Sequence, residues 1–390
     1  MTKLNLELVN HFVLNKQHLT DRSKIDDITQ IAKDLVGLHA TLPTTPYLSL
    51  FARTRKFTKE QFDKESYIEK NLGKIRFVRK TIHILPRDMI SYAFSATRKM
   101  AEVVSERYSK YLGADQDTYK RISLLILEIL KEKGMTTTEL KKALDTKLKL
   151  SSILNLMCDQ GLLIRGPPKK GWNSNIHTYY LFQEYFPEVT LNEFDEENAK
   201  KFVVKQYIGS FGPVTVNDVS WWTGFRKTET KQILESFQND LTHVEISHLK
   251  GNHIILLSDQ KNLNSLTAPQ KHVVNFLPPL DPYTMGYKDR ERYLSNEYYY
   301  HVFDRSGNAT SSILLNGEVI GIWDFNENED PQIRMFLFEE VKKSVLKDIH
   351  TSAQKVGKFI SEKEVKTKEV DSMTPLTKRT AGGFMSPLKD

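Results

Sequence analysis

Up to about residue 258 the apolar positions of this chain recur mostly at helical spacing; beyond it they alternate. The clearest helical stretch is RISLLILEILKEKG, Arg121 to Gly134, which carries one apolar face and ends on a glycine suited to a C-cap. MTTTELKKAL follows, with Thr136 or Thr137 placed to cap a helix that holds Glu139 in its first turn. LKLSSILNLMCDQG predicts a third helix, stopped at Gly161 and passing into an apolar strand, Leu162 to Arg165. A turn-rich loop, GPPKKGWNS, then leads to HTYYLF as the returning strand. Three helices and a hairpin in this order are the parts of a winged helix, an extended helix-turn-helix.

The same grammar returns further along. AKKFVVKQYIGSFG reads as a helix, PVTVNDVSWWTG as a second one capped by Thr215, and KTETKQILESFQND as a recognition helix. THVEISHLKGNHIILL alternates like a hairpin with Lys250, Gly251 and Asn252 at its tip. An earlier copy uses LNLELVNHFVL and IDDITQIAKDLVGLHAT as helices and IRFVRKTIHILP as strand-forming sequence. After Ser258, the runs HVVNFLPPL, YYYHVFD, TSSILLNGEVIGIWDF and QIRMFLF predict a small β-domain with a turn at Asn316-Gly317, closed by a helix from about 338 to 360. The tail from Ser361 lacks an apolar face and is expected to be disordered. The predicted fold class is α+β: tandem winged-helix domains with a C-terminal β-rich domain. Boundaries are expected at 1–115, 116–190, 191–260 and 261–360, with the tail at 361–390.

Charge sharpens this picture. A net charge of +7 and a pI near 9.0 favour a polyanionic partner, because neutralising phosphates releases counterions. In the middle copy, Lys147 and Lys149 open the recognition helix while Lys169 and Lys170 sit in the wing. The later copy places Arg226, Lys227 and Lys231 on its recognition helix and Lys250 at the hairpin tip. Recurrence at equivalent places suggests phosphate contacts, which give affinity without reading sequence; each lysine alone also fits a solvated surface charge. Trp221 and Trp222 either stack on bases or pack helices, and Tyr298, Tyr299 and Tyr300 would alternate between faces of a strand.

Several classes lose support. Cys158 is the only cysteine, which excludes an internal disulfide framework and points to a reducing compartment. The N-terminus lacks a signal peptide's apolar core, and no stretch reaches the roughly 18 apolar residues of a membrane span. A soluble, cytoplasmic monomer, nucleoid-associated when bound to DNA, is expected. There is no Gly-rich phosphate loop, paired-cysteine zinc spacing or His-Glu-x-x-His helix, so no metal or cofactor is expected.

Three segments carry a family resemblance: TIHILP (Thr81 to Pro86), FGPVTVNDVSWWTG (Phe211 to Gly224) and NFLPPLDPYTMGYKDRERYL (Asn275 to Leu294). Over roughly residues 5 to 360 the chain resembles the winged-helix DNA-binding family that includes the bacterial alkylpurine and interstrand-crosslink DNA glycosylases. The resemblance implies duplex or damaged DNA as the partner. In the last segment, prolines and Gly286 set a rigid path, and Lys288 and Arg290 follow where they would meet phosphates.

The resemblance also points to a site. In the family's glycosylases, the helix end corresponding to LVGLHAT carries Gln, an apolar residue, then Gln or Asp, implicated in positioning the hydrolytic water and stabilising positive charge on the sugar. This chain has His39, Ala40 and Thr41 there. A neutral imidazole can hold a water, whereas Thr41 is uncharged and short; the other reading has His39 capping or packing the helix end. TIHILP is similar to the family's Thr-Leu-His-Leu-Val-Pro, with Arg79, Thr81, His83 and Pro86 in place and Lys80 at a usually small position. The resemblance puts Arg79 and His83 against DNA near a lesion; a histidine packed at a strand end is the alternative. Three functions stay open at this point: DNA binding without catalysis, hydrolysis of the N-glycosidic bond of an alkylated or crosslinked purine, and a protein scaffold.

Overall fold

A computed structural model describes residues 2–111, 113–265, 271–327, 330–372 and 374–376. The chain divides into two compact units, both built from separated stretches of sequence. One comprises Ile28–Tyr47 and Thr58–Gln206, the other Met1–Asp27, Leu48–Phe57 and Tyr207–Asp390.

The first of these units is organised by a six-stranded sheet, in the order Leu38–His39, Ile82–Pro86, Leu72–Arg76, Leu163–Pro168, His177–Leu181 and Met135–Thr136. IRFVRKTIHILP forms a hairpin here, its strands joined through a single 3-10 turn at Val78–Lys80. The helices Gln116–Leu130, Thr137–Ala143 and Leu150–Asp159 form as their periodicity requires. Thr136 caps the second of them through a reciprocal capping box with Glu139. Their apolar faces close a core of Ile122, Ile126, Leu130, Leu140, Ile153 and Met157. The two hairpins meet at Lys74 and Arg165, so strands from the segments 1–115 and 116–190 share one sheet. Periodicity is blind to that pairing, because a strand's edge has no sequence period of its own.

Two expectations change in this unit. The helix in IDDITQIAKDLVGLHAT covers only Ile28–Asp34, because Val36 (φ 54°) and Gly37 (φ 99°) take left-handed conformations and end it. His39 therefore lies in an edge strand and not at a helix end.

In the other unit Tyr207–Phe211, the end of the helix Glu196–Phe211, and the helices Val216–Thr223 and Lys227–Glu235 precede the hairpin Leu241–Ile246 and His253–Leu256. Thr215 caps the middle helix, again through a capping box, here with Asp218. Residues Thr2–Leu4 add a parallel third strand to this hairpin, and Val9 and Phe12 pack under it with Val244, Ile246 and Ile255. A five-stranded sheet follows, in the order Val274–Leu277, Ser312–Leu315, Glu318–Asn326, Gln332–Leu337 and Lys366–Glu369. Its tight turn is at Asn316-Gly317, both at positive φ, as the dipeptide predicts.

The segment read as the strand YYYHVFD is instead two short helical turns, Asn296–Tyr298 and Tyr299–Val302. Its aromatic run satisfies strand propensity, but its rings pack three-dimensionally: Tyr298 stacks on Phe338 at 4.3 Å and Tyr299 lies 5.2 Å from Phe303. The closing helix spans Lys343–Ser361. Part of the expected disordered tail is ordered, since Lys366–Glu369 pairs in parallel with Gln332–Leu337; residues 377–390 lie outside the described residues.

The Asn275 to Leu294 segment folds as an internal brace. Asp281 is fully buried and bridges Arg53, whose Nη2 and Nη1 donate to its two oxygens at 2.7 and 2.8 Å. Gly286 has no room for a side chain, because a Cβ there would sit 2.4 Å from the Phe211 ring. The Tyr207 and Tyr287 hydroxyls donate to the carbonyls of Gly286 and Phe211. No described helix is long and apolar enough to cross a membrane.

Candidate active site

The strand Leu38–His39 pairs antiparallel with Ile82–Pro86 in a register that sets His39 directly opposite His83. The Ala40 amide extends the pairing by donating to the Ile82 carbonyl at 2.8 Å. The imidazole centroids are 5.0 Å apart with the rings tilted by 54°, and the Phe77 ring meets His83 edge-on at 5.5 Å. Only 5% of His39 and 6% of His83 is exposed.

Both rings are held neutral. Burial drives the His39 pKa well below the ordinary imidazole range, with His83 and Arg79 adding to the effect. For His83, burial dominates; its hydrogen bond to Thr81 raises the pKa and Arg79 lowers it, leaving it at about 4. Arg79 sits in the turn between the two hairpin strands with φ 51°, so its cation acts on both rings. Thr41 is exposed, and its backbone N–H lies 3.5 Å from His39 Nδ1. The structure therefore gathers His39, Thr41, Arg79 and His83 at one end of the sheet. Phe77, which completes the wall, is a residue sequence reasoning missed; its one signal is an aromatic directly preceding the turn.

The remaining basic candidates lie elsewhere in the two units. In the unit of the six-stranded sheet, Lys147 and Lys149 are exposed at the start of the helix Leu150–Asp159. Lys169 and Lys170 are exposed in the hairpin loop, with Lys169 3.7 Å from Glu139. In the other unit Arg226, Lys227 and Lys231 are exposed along the helix Lys227–Glu235, and Lys250 and Lys288 face one cavity of about 390 Å³. Arg290 departs from the expectation of a phosphate contact. It is 9% exposed, its guanidinium lies 3.7 Å from the Phe303 ring, and it donates to the Tyr299 hydroxyl at 2.6 Å and the Gly307 carbonyl at 3.0 Å. Trp222 is likewise internal, stacked on Tyr207 at 4.6 Å. A buried cationic group also escaped the sequence reading: Lys74, lowered to about 7 by burial and then Arg165, sits 3.2 Å from His177 Nε2.

A family model for AlkZ-like DNA glycosylases matches residues 32–359, a span that includes both histidines. The chain belongs to the AlkZ-like DNA glycosylase family. The interstrand DNA cross-link repair glycosylase of Streptomyces sahachiroi is similar at 20% identity over 331 residues, covering 81% of this chain and 86% of that protein. The solved structure of the Streptomyces sahachiroi DNA glycosylase AlkZ superposes with a TM-score of 0.77 at 18% identity, covering 95% of this chain and 100% of that one. At that identity the likeness establishes a common mixed α and β fold. Within this AlkZ-like chain, the hairpin that carries TIHILP holds its histidine against the one in LVGLHAT.

Proposed function

We propose that this protein is a DNA glycosylase that hydrolyses the N-glycosidic bond of a cationic, N-alkylated purine. The observation that supports the reading is the pairing of His39 with His83, two neutral imidazoles 5.0 Å apart and mutually tilted, the first of them at the position where the resemblance puts the family's water-handling residues. Alkylation at N7 puts positive charge on the purine, so breaking C1′–N9 returns an electron pair to a ring already short of electrons. The sugar then develops oxocarbenium character. The two neutral imidazoles add no positive charge of their own beside it. In this reading His39 orients the attacking water, Thr41 borders the site, and Arg79 contacts a neighbouring phosphate.

The helix–helix–helix–hairpin runs at 116–190 and 191–260 are read as winged helices that grip duplex DNA through Lys147, Lys149, Lys169 and Lys170 in one and Arg226, Lys227, Lys231, Lys250 and Lys288 in the other. Such contacts follow phosphates and not bases. The double variant Lys147→Ala, Lys149→Ala is expected to reduce the slope of log affinity against log salt by about 2, since each phosphate contact releases about 0.9 counterion. An unchanged slope would remove these lysines from the interface.

The deciding experiment is single-turnover incubation of the full chain with duplex DNA bearing N7-methylguanine, scored as released base and abasic sites. Release above the spontaneous rate supports the enzyme. Salt-sensitive binding without release, across N7-alkyl and crosslinked substrates, establishes the non-catalytic DNA-binding protein instead.

A further inference from the structure

The facing histidines differ in one respect that assigns them separate tasks. The Thr81 carbonyl, which can only accept, lies 3.2 Å from His83 Nδ1. A neutral His83 therefore carries its proton on Nδ1 and presents a bare Nε2 lone pair. At His39 the neighbour of Nδ1 is a donor, the Thr41 backbone N–H at 3.5 Å. That contact is long, and it favours the tautomer in which Nδ1 accepts and the proton resides on Nε2. The two contacts together favour opposite tautomers for the two rings.

Among the described residues, neither Nε2 has a protein partner, and neither is among the buried polar atoms sealed from solvent. The small exposed fraction of each ring thus includes the nitrogen its partner contacts leave over. One Nε2 donates, the other accepts, and they belong to rings 5.0 Å apart. A water molecule, with lone pairs and protons to match, fits that complementarity.

We propose that His83 is a catalytic residue, the proton acceptor for a water that His39 holds by donating from Nε2. This deepens the glycosylase reading and rests on it. In the step, the water oxygen forms a bond to C1′ as the C1′–N9 bond breaks and its electron pair neutralises the purine. The water proton passes to His83 Nε2, producing a transient imidazolium that returns the proton to solvent. Water adding to an oxocarbenium-like carbon becomes strongly acidic as the C–O bond forms, so a weakly basic imidazole is sufficient to take its proton. The Thr81 carbonyl stabilises the imidazolium through Nδ1–H, while Arg79 favours its prompt deprotonation. Thr41, exposed and bonded here through its backbone, acts by fixing the His39 tautomer. It is a positioning residue.

Two measurements on the full chain test this separately from the glycosylase reading. Long-range proton–nitrogen correlation spectra of histidine-labelled protein, assigned with His39→Gln and His83→Gln, report each tautomer without any activity. Nε2–H on His39 and Nδ1–H on His83 at neutral pH are expected; Nε2–H on His83 overturns the proposal even if base release occurs. In the second, His83→Ala is expected to lower single-turnover base release by about 100-fold, the scale of a general base. Millimolar imidazole should restore a substantial part of that loss, and DNA affinity should stay within about twofold. A rate unchanged in His83→Ala overturns the role. A loss that imidazole does not recover, in protein with a wild-type melting profile, also overturns it and leaves His83 as wall. Absence of release by the parent protein defeats the glycosylase reading itself, while the spectra still decide the tautomer pair.

Discussion

Asp281→Asn is expected to destabilise the unit that contains it by about 3–5 kcal/mol, the scale for removing one partner of a buried ion pair. Arg53 and Asp281 have no exposed side-chain surface. The arginine also donates to the carbonyls of Gln17 at 3.0 Å and Ser49 at 3.0 Å, and Asp281 accepts from the Ser49 hydroxyl at 2.7 Å and the Tyr283 amide at 2.9 Å. Asparagine keeps the shape and loses the charge, so the guanidinium stays buried without its counter-charge, keeping only neutral acceptors. Equilibrium denaturation reads the effect; a loss under about 1 kcal/mol would show that the pair is screened in ways its burial does not suggest. Arg53→Met combined with Asp281→Leu should cost less than the single change, because no charge is then stranded.

His39→Ala is expected to cut base release by at least about 100-fold while leaving DNA affinity within about twofold. In the proposed function, affinity is assigned to exposed lysines far along the sequence from His39, and orientation of the water to the one ring. Release should also be flat from about pH 6 upward, since both imidazoles are neutral there. Their lowered pKa values carry a stability consequence of definite sign. An imidazole whose folded pKa is depressed contributes nothing unfavourable above its unfolded value, and destabilises the fold as pH falls from about 6.5 toward 4. Single-turnover kinetics with a matched binding titration check the variant. An equal loss of affinity and rate would mean that His39 serves binding.

Much of the fold is legible in the sequence. Helices with a clear face and a capping threonine, such as Gln116–Leu130 followed by Thr137–Ala143, appear where periodicity puts them. So does the hairpin turn at Asn316-Gly317, because local backbone preference alone is enough to specify it. The motif TIHILP and the triplet His39-Ala40-Thr41 were also visible as candidate chemistry, though with no indication that they touch.

What the sequence determined by itself is therefore local: the type of the strongly periodic elements, caps, tight turns, the basic character of the segments around Lys147–Lys149 and Arg226–Lys231, and the candidate histidines. Tertiary structure decided the rest. It placed the two histidines in register across an edge strand about 44 residues apart in sequence, a relation that only backbone hydrogen bonding between Leu38–His39 and Ile82–Pro86 defines. It turned Arg290 inward and gave Asp281 a buried arginine, because whether a charge meets solvent depends on which side chains close over it. It made YYYHVFD helical, since ring packing on Phe338 and Phe303 outweighed a weak strand preference. Residue spacing is a one-dimensional record of local conformation; tautomer, burial and charge pairing arise between residues that spacing does not relate.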